Sequence, residues 1–289
     1  VLYMKLIKYF FEFIIIIVLF LLFKLMGYKI GSKFSGFFFR FFGPFFRSKK
    51  IIKSNIKKAL PKIEDIELSN IIKNMWSNYG KILLDYIFIK KFRNSQLKKH
   101  LEIEGLDILE KIKLENKPVI FVSGHFCNFE LMAMQIEKSG INLATIYRPL
   151  NNIFINKIME HIRINHICKK QIKKGKPGIR EILNLIKKNF SIALMIDQRV
   201  SEGMKVNFFN QPAFTTTIPA QLVKKFNFQV VPVYIRRLND INYKMTIQNP
   251  INFDEKETIE NITLKLNEWL EKMILKNPDQ WIWSHNRWK

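Results

Sequence analysis

The sequence predicts an α/β fold: a mostly parallel central sheet flanked by helices, preceded by an N-terminal transmembrane helix. One apolar run of membrane length lies near the start, short runs rich in β-branched residues follow residue 117, and helical stretches of ten to fifteen residues separate those runs. Strands that alternate with helices of this length are typical of parallel sheets, because parallel neighbours need a crossover connection. We therefore expect functional side chains where strands meet helix N-termini.

The N-terminal apolar run is "YFFEFIIIIVLFLLFKLM", residues 9–26, whose only charges are Glu12 and Lys24 near its ends. A helix of this length covers about 27 Å, close to the hydrocarbon thickness of a bilayer. No small-residue cleavage site follows, which favours a retained anchor over residues 1–26 rather than a cleaved signal peptide. Two lysines precede the run and eight Lys or Arg fall in residues 24–53, so the positive-inside rule places the rest of the chain in the cytoplasm.

The next segment is aromatic but broken. Residues 34–46, "FSGFFFRFFGPFF", contain Gly36, Arg40, Gly43 and Pro44 and are too short to span a bilayer. The sequence leaves two interpretations open: an aromatic wedge in the membrane interface, or a buried hydrophobic hairpin.

The chain after the N-terminal helix divides into two parts with different sequence patterns. We expect residues 27–117 to form an interfacial segment and a helical N-terminal part, residues 118–289 to form the α/β core, and residues 27–289 to fold as one globular domain. The core strands are predicted at "PVIFVSG", "INLATIYR", "FSIALMIDQ", "KVNFF" and "QVVPVYIRRL". Helices are predicted between them and at residues 256–276, with Gly140 as a helix C-cap.

Composition restricts the class of protein without naming a partner. The 48 Lys and Arg against 24 Asp and Glu give a net charge of +24, which suits nucleic acid, anionic lipid or an acidic protein, although part of it reflects a chain rich in Ile, Lys, Asn and Phe. The two cysteines, Cys127 and Cys168, have neither disulfide-framework nor zinc-site spacing. A reducing, cytoplasm-facing body is the simplest interpretation.

The strongest local signal is "FVSGHFCNFE", residues 121–130, where an apolar strand ends at a glycine and presents His125. On one continuous helix, His125 and Glu130 would point about 140° apart. They can meet only if His125 lies in the turn and Glu130 in the first turn of the helix, where Glu130 would orient the imidazole as a general base. A structural histidine, or Cys127 as a nucleophile with His125 as its base, remains open.

"GHFCNFE" resembles the His-x4-Glu block of the lysophospholipid acyltransferase-like superfamily, in particular its branch of lipid A biosynthesis late (lauroyl/myristoyl) acyltransferases. "YRPLNN", "MIDQRVSEGMKVNFFNQPAFTTT" and "NPDQWIWSHNRWK" resemble further blocks of that branch, in the same order. Glu130, where glycerolipid acyltransferases usually have Asp, favours the lipid A branch. Two positions depart from the family pattern: Cys127 and Asn210 each replace a usual glycine.

The resemblance implies an acyltransferase-like fold and transfer of a fatty acyl chain to a hydroxyl of a Kdo-bearing lipid A precursor, at the inner membrane of a bacterium. Acyl carrier protein would be donor and partner, with no other cofactor, no metal and no nucleic acid. His125 would be the base and Glu130 its orienter, and Asn128, Arg148, Asp197 and Gln198 would bind substrate. Arg148 follows a predicted strand, where it could take a phosphate or the thioester oxygen.

Several alternatives stay open beside this reading. The first is an acyltransferase that acts on another glycolipid or a glycerophospholipid. The second is a non-enzymatic, basic lipid-binding protein. The third is a metal hydrolase with His125, Glu130 and Asp197 as ligands. Residues 215–217, "TTT", suit a helix cap as well as a site. His161, His166 and His285 are expected to be structural, and Trp281, Trp283 and Trp288 to pack in the core or meet the membrane interface.

Overall fold

The computed structural model describes residues 2–289 and begins with two helices. Helix α1 runs from Leu2 to Leu25 and α2 from Gly27 to Phe42, with the left-handed Gly27 (φ +73°) at the corner between them. Within the described part of the chain, Tyr3–Leu25 is the one helical stretch long and apolar enough to cross a membrane.

Helix α2 packs on the long helix α4 (Asp65–Arg93) through its small residues. Gly31, Ser32, Ser35 and Gly36 are buried, and a Cβ added at Gly31 would lie 2.8 Å from a methyl carbon of Leu84 in α4. This close approach turns the phenylalanines of α2 outward. Residues 34–46 therefore form the end of a helix and a short 3-10 turn, and the buried-hairpin interpretation is wrong.

The remaining helices are α3 (Lys49–Ala59), α5 (Leu106–Glu115), α6 (Glu130–Lys138), α7 (Ile153–Ile162), α8 (Lys176–Lys187), α9 (Ile218–Phe226) and α10 (Ile259–Lys276). A π-helical turn, Arg163–Ile167, continues α7. The C-cap of α6 is Ser139 rather than the predicted Gly140. Gly140 follows it with φ +93°, the left-handed conformation that is common just after a helix end.

Nine strands complete the described fold: β1 (Leu101–Glu104), β2 (Ile120–Ser123), β3 (Leu143–Tyr147), β4 (Lys170–Lys173), β5 (Ser191–Met195), β6 (Met204–Phe208), β7 (Gln211–Thr215), β8 (Val230–Arg237) and β9 (Tyr243–Ile247). Seven form one sheet in the order β1-β9-β8-β2-β5-β3-β4, and β6 and β7 form a separate antiparallel hairpin. Strands β8 and β9 are antiparallel and the other pairs of the large sheet are parallel. The predicted α/β fold with a mostly parallel central sheet is confirmed.

The centre of the sheet is buried because its strands are apolar on both faces. All four residues of β2 are buried, and seven of the eight residues of β8 are buried, as expected where helices cover both sides. Strand β1 pairs with β9, so the segment before residue 118 contributes an edge strand to the same sheet.

A buried ion pair joins the N-terminal helices to the sheet. Arg237 of β8 donates to Asp85 of α4 at 2.8 Å, and Asp85 also accepts from the hydroxyls of Tyr243 and Tyr28. The Asp85 side chain is 1% exposed and that of Arg237 is 5% exposed. Because each charge has a partner of opposite sign and further hydrogen bonds, the cluster fixes α2 and α4 against strands β8 and β9.

Candidate active site

The pairing of β2 with β5 decides which residues meet at the carboxyl edge of the sheet. The two strands are parallel neighbours in which Ser123 pairs with Met195. His125 and Asp197 each lie two residues beyond that pair. Because the strands are parallel, the two side chains come to lie side by side. Gly124 separates Ser123 from His125 and faces Asp197: a Cβ there would lie 3.3 Å from the Asp197 carboxylate and 2.8 Å from the side chain of Leu270.

Asp197 holds His125 at two points. Its Oδ2 accepts the backbone N–H of His125 at 2.7 Å, and its Oδ1 lies 2.7 Å from the ring Nδ1. Asp197 is fully buried, whereas the His125 side chain is 20% exposed. The imidazole also meets the ring of Phe129 edge to face, with centroids 4.8 Å apart. A carboxylate on Nδ1 fixes the tautomer with Nδ1 protonated and leaves Nε2 as an acceptor.

The electrostatics of Asp197 follow from these contacts. Burial by itself would raise the pKa of the Asp197 carboxyl, but the charge and hydrogen bonds of His125 and a hydrogen bond from Trp281 together hold that pKa below its ordinary value. Asp197 is therefore a carboxylate at neutral pH, able to stabilise a protonated imidazole.

The C-terminal tail builds the far side of the site. Trp281 is buried and its Nε1 donates to Asp197 Oδ2 at 2.8 Å. The carbonyl of Gln280 accepts the N–H of Cys127 at 3.0 Å, next to the histidine turn. Trp281 and Trp283 are 2% and 0% exposed, so of the two sequence interpretations, packing in the core is correct for them.

Glu130 does not orient His125, which corrects the sequence prediction. Glu130 opens α6 and its Oε1 accepts from the Tyr86 hydroxyl at 2.6 Å and from Nε and Nη2 of Arg163 at 2.8 and 2.7 Å. The helix start faces α4 and the π turn, and the carboxylate that reaches the imidazole comes from the neighbouring strand. Asp197, expected to bind substrate, occupies the orienting position.

Sequence reasoning missed Arg163 and Tyr86. Burial is the largest single influence on the Arg163 guanidinium and works to lower its pKa, but the charges and hydrogen bonds of Glu130 and Tyr86 together outweigh burial and raise that pKa above its usual range. Burial, reinforced by Glu130, raises the pKa of the Tyr86 hydroxyl, which stays a donor. The π turn that begins at Arg163 has no clear sequence pattern, although π turns are frequent near functional sites.

The other predicted binding residues lie around this edge without touching His125. Asn128 is 2% exposed and its Nδ2 has no hydrogen-bond partner within residues 2–289. Gln198 follows Asp197 and is half-buried. Arg148 follows β3, the other neighbour of β5, and its side chain is exposed. Their roles in binding stay predictions.

Cys127 does not have the properties of a nucleophile. The thiol is fully buried, and burial raises its pKa to about 12. A thiol with that pKa is almost entirely protonated near neutral pH, so the Cys127 alternative loses its chemical basis.

His285 lies near His125 and Asp197 but has a structural role. Its Nε2 accepts the backbone N–H of Arg199 at 3.0 Å. Burial lowers the pKa of His285 to about 4, against the pull of Asp197, and His125, Arg287 and Arg148 add to the lowering. A neutral His285 that accepts a backbone hydrogen bond fits the predicted structural role.

The arrangement suits proton abstraction from an alcohol or water. One nitrogen of His125 is held by a buried carboxylate, and its ring is partly open to solvent. A metal site built from His125, Glu130 and Asp197 does not fit, since Glu130 is bound to the guanidinium of Arg163. Across residues 2–289, no group of three or more His, Cys, Asp or Glu has the geometry to hold a metal ion.

The chain is similar to known proteins over most of its length. Residues 3–289 match the family model described as bacterial lipid A biosynthesis acyltransferase. The lipid A biosynthesis palmitoleoyltransferase of Escherichia coli K12 is 24% identical over 251 residues, covering 84% of this chain and 79% of that protein. The lauroyltransferase of the same organism is 22% identical over 249 residues, covering 84% and 79%. The crystal structure of the 1-acyl-sn-glycerophosphate acyltransferase from Thermotoga maritima aligns with a TM-score of 0.43 and 14% identity over 88% of this chain and 99% of that chain.

Proposed function

This chain belongs to the bacterial lipid A biosynthesis acyltransferase family, and from that membership we propose that it transfers a fatty acyl chain from acyl carrier protein to a hydroxyl of a Kdo-bearing lipid A precursor. The observation that carries the mechanism is the contact between His125 Nδ1 and Asp197 Oδ1 at 2.7 Å, at the carboxyl edge of the sheet. Relatives named as lauroyl-, myristoyl- and palmitoleoyltransferases of lipid A biosynthesis support the class of acceptor.

In the proposed reaction, Nε2 of His125 takes the proton of the acceptor hydroxyl as its oxygen attacks the thioester carbonyl. Asp197 stabilises the imidazolium that forms. The tetrahedral intermediate then expels the thiolate of the carrier's prosthetic arm, and the imidazolium returns the proton to that sulfur. An ester forms, a thioester breaks and His125 ends as it began, so no covalent acyl-enzyme is required.

Glu130 acts in this proposal as a positioning residue. Its carboxylate joins α6 to α4 through Tyr86 and to the π turn through Arg163. Since α6 begins where the histidine turn ends, the cluster holds one wall of the site in place. Glu130 thus supports catalysis by positioning the site and does not contact the reacting atoms.

Both proposed substrates are anionic, which gives the net charge of +24 a use. Arg148 is exposed beside Lys174, whose pKa is lowered by burial and further by the charge of Arg148. Two adjacent cations at the edge that carries His125 would attract a phosphate of either substrate. We place the enzyme at the inner membrane of a bacterium, with its body facing the cytoplasm.

The test is transfer of labelled acyl chains by membranes that contain the wild-type protein or His125→Ala at matched expression. Donors should include acyl carrier protein and coenzyme A thioesters, and acceptors should include lipid A precursors with and without Kdo and a lysophospholipid. We expect product from the carrier donor and Kdo-bearing acceptor, and a loss of about 10² to 10⁴-fold without His125.

Other outcomes discriminate among the alternatives. Product with the lysophospholipid and none with lipid A precursors would reassign the acceptor. A wild-type protein that binds anionic lipid but transfers no acyl chain from any donor would identify a lipid-binding protein. An active His125→Ala variant would overturn the proposed base.

A further inference from the structure

Helix α1 is covered along one face, although it is apolar all round. Position 23 is buried and positions 6, 9, 12, 13, 16, 17, 19 and 20 are half-buried, a set that recurs every three or four residues. The exposed apolar side chains fall on the opposite side at the same spacing, with Phe10 at the border between the two sets: Tyr3, Met4, Ile7, Phe11, Ile14, Ile15, Val18, Leu21, Leu22 and Leu25. At 100° per residue these sets form two opposite faces. One face of α1 therefore lies on protein, and the other is free.

The N-terminal half of that covered face contacts α7. The ring of Phe13 lies 5.8 Å from the ring of Phe154, and the ring of Phe10, at the border of the covered face, lies 5.9 Å from it. Nδ2 of Asn152 donates to the backbone carbonyl of Tyr9 at 2.8 Å and to Oε2 of Glu12 at 3.1 Å. The charge of Glu12, which would be costly in the middle of a bilayer, is here met by the amide of Asn152.

The C-terminal half contacts α4. Phe23 is fully buried and packs with Leu84 and Phe88. Fourteen residues separate Tyr9 from Phe23, or about 21 Å of helix at 1.5 Å per residue. A helix that crossed the bilayer from a body outside it would keep only one end beside that body. Contacts over this length require the body to lie alongside most of α1.

We propose that α1 does not cross the membrane but lies along the body as an interfacial helix, with its free face inserted into one leaflet of an anionic bilayer. Interfacial helices usually have a broad polar face of their own. Helix α1 has none, so in this arrangement the polar side is the basic body on which α1 docks through α7 and α4. Lys5, Lys8 and Lys24 then stay on one side of the membrane with the basic residues of α2, where they meet anionic headgroups.

Helix α2 extends the same surface. Its buried small residues hold it on α4, and its phenylalanines at positions 34, 37, 41 and 42 are between 43% and 61% exposed. At the α1–α2 corner an open apolar cleft is lined by Leu22, Leu25, Met26 and Phe34. This cleft connects the free faces of the two helices and would accept an acyl chain of the leaflet.

Asn152, the last residue of "YRPLNN", connects α7 to α1. Its Oδ1 caps α7 by accepting the N–H groups of Phe154 and Ile155 at 3.1 and 3.3 Å, while its Nδ2 holds α1. The same short loop begins with Arg148, next to β3 and the catalytic edge. In this arrangement one asparagine sets the membrane helix beside the loop that carries Arg148, so a lipid acceptor would reach the site from the leaflet that holds α1.

Accessibility of introduced cysteines tests the topology. The native Cys127 and Cys168 are 0% and 1% exposed, so the wild type should take up little membrane-impermeant maleimide. Lys5→Cys in α1 and Lys272→Cys in α10 should both react in inverted vesicles and neither in right-side-out vesicles. Reaction of Lys5→Cys from the face opposite to Lys272→Cys would establish a crossing helix, as predicted from the sequence, and overturn the proposal.

Cross-linking tests the contact itself. In native membranes, a short bis-maleimide should join the cysteines of the double variant Glu12→Cys, Asn152→Cys. The pair Glu102→Cys, Lys244→Cys lies on the neighbouring strands β1 and β9 and is the positive control. If the control pair links and the first pair does not, α1 is not docked on α7. Neither readout depends on acyl transfer, so the proposal stands or falls separately from the proposed function.

Discussion

Asp197 accepts two hydrogen bonds of 2.7 Å from one residue, His125, through the backbone nitrogen and through ring Nδ1. The residues are 72 positions apart in the chain. The double contact fixes both the place of the histidine turn and the orientation of its ring, and it assigns to a strand end the role expected of the helix residue Glu130.

Replacing Asp197 by Asn should abolish most of the acyl-transfer activity. The amide keeps the size of the carboxylate but loses the charge that stabilises the imidazolium and can favour the wrong tautomer, which costs about 10⁴-fold in kcat in a comparable triad. Acyl-transfer rates of the purified variant measure this. Asp240→Asn, which removes a carboxylate ion-paired with Lys81 at 2.6 Å, is the control and should stay active. Near-normal turnover by Asp197→Asn would remove Asp197 from the mechanism.

Replacing Trp281 by Phe should have a smaller and more specific effect. The ring still fills the core, but the N–H bond to Asp197 Oδ2 is lost. A hydrogen bond to a charged group is worth about 1.5 to 3 kcal/mol. We expect roughly a tenfold fall in kcat, because Asp197 would be held less firmly against His125. Trp283→Phe, whose Nε1 donates to the Pro278 carbonyl, should leave kcat near the wild-type value.

Replacing Glu130 by Gln should lower stability and activity together. The Arg163 side chain is 13% exposed, and without its carboxylate it becomes a largely buried charge that lacks a counterion. Breaking such a pair costs about 3 kcal/mol or more, which thermal unfolding in detergent would detect. His125→Ala should lose activity with little change in Tm. An inactive Glu130→Gln variant of unchanged Tm would instead give Glu130 a direct role in the chemistry.

His285 should make the folded state sensitive to mild acid. Its pKa is lowered to about 4 in the folded protein, whereas an unperturbed histidine titrates at about 6.5. Between these values the unfolded chain binds a proton that the folded protein does not, so the free energy of unfolding should fall as pH drops through this window. Below about pH 4 both states are protonated and the loss stops growing.

The measurement is denaturant unfolding of the wild type and His285→Gln from pH 7 to pH 4. The glutamine carbonyl keeps an acceptor for the N–H of Arg199 but does not titrate. We expect a shallower loss of stability in the variant. Parallel curves for the two proteins would show that His285 does not contribute to the acid sensitivity.

The order of strands and helices after residue 117 was predictable where the pattern was local and strong. Strands β2, β3, β5 and β8 are apolar and rich in β-branched residues, and each was predicted. Strands β1 and β4 are four residues long and alternate with exposed positions, so they lack a comparable pattern. The predicted strand "KVNFF" does form, as β6, but in the separate hairpin rather than in the central sheet.

By itself, the sequence determined the α/β class, the place of His125 in a turn after a strand, and the family resemblance, because these follow from residue types close together in the chain. Only the tertiary structure decided which carboxylate meets His125, which cation meets Glu130 and what lies under α1. Those contacts depend on the pairing of β2 with β5 and on the packing of helices far apart in sequence. Burial of the whole core fixes that packing, and no local pattern encodes it.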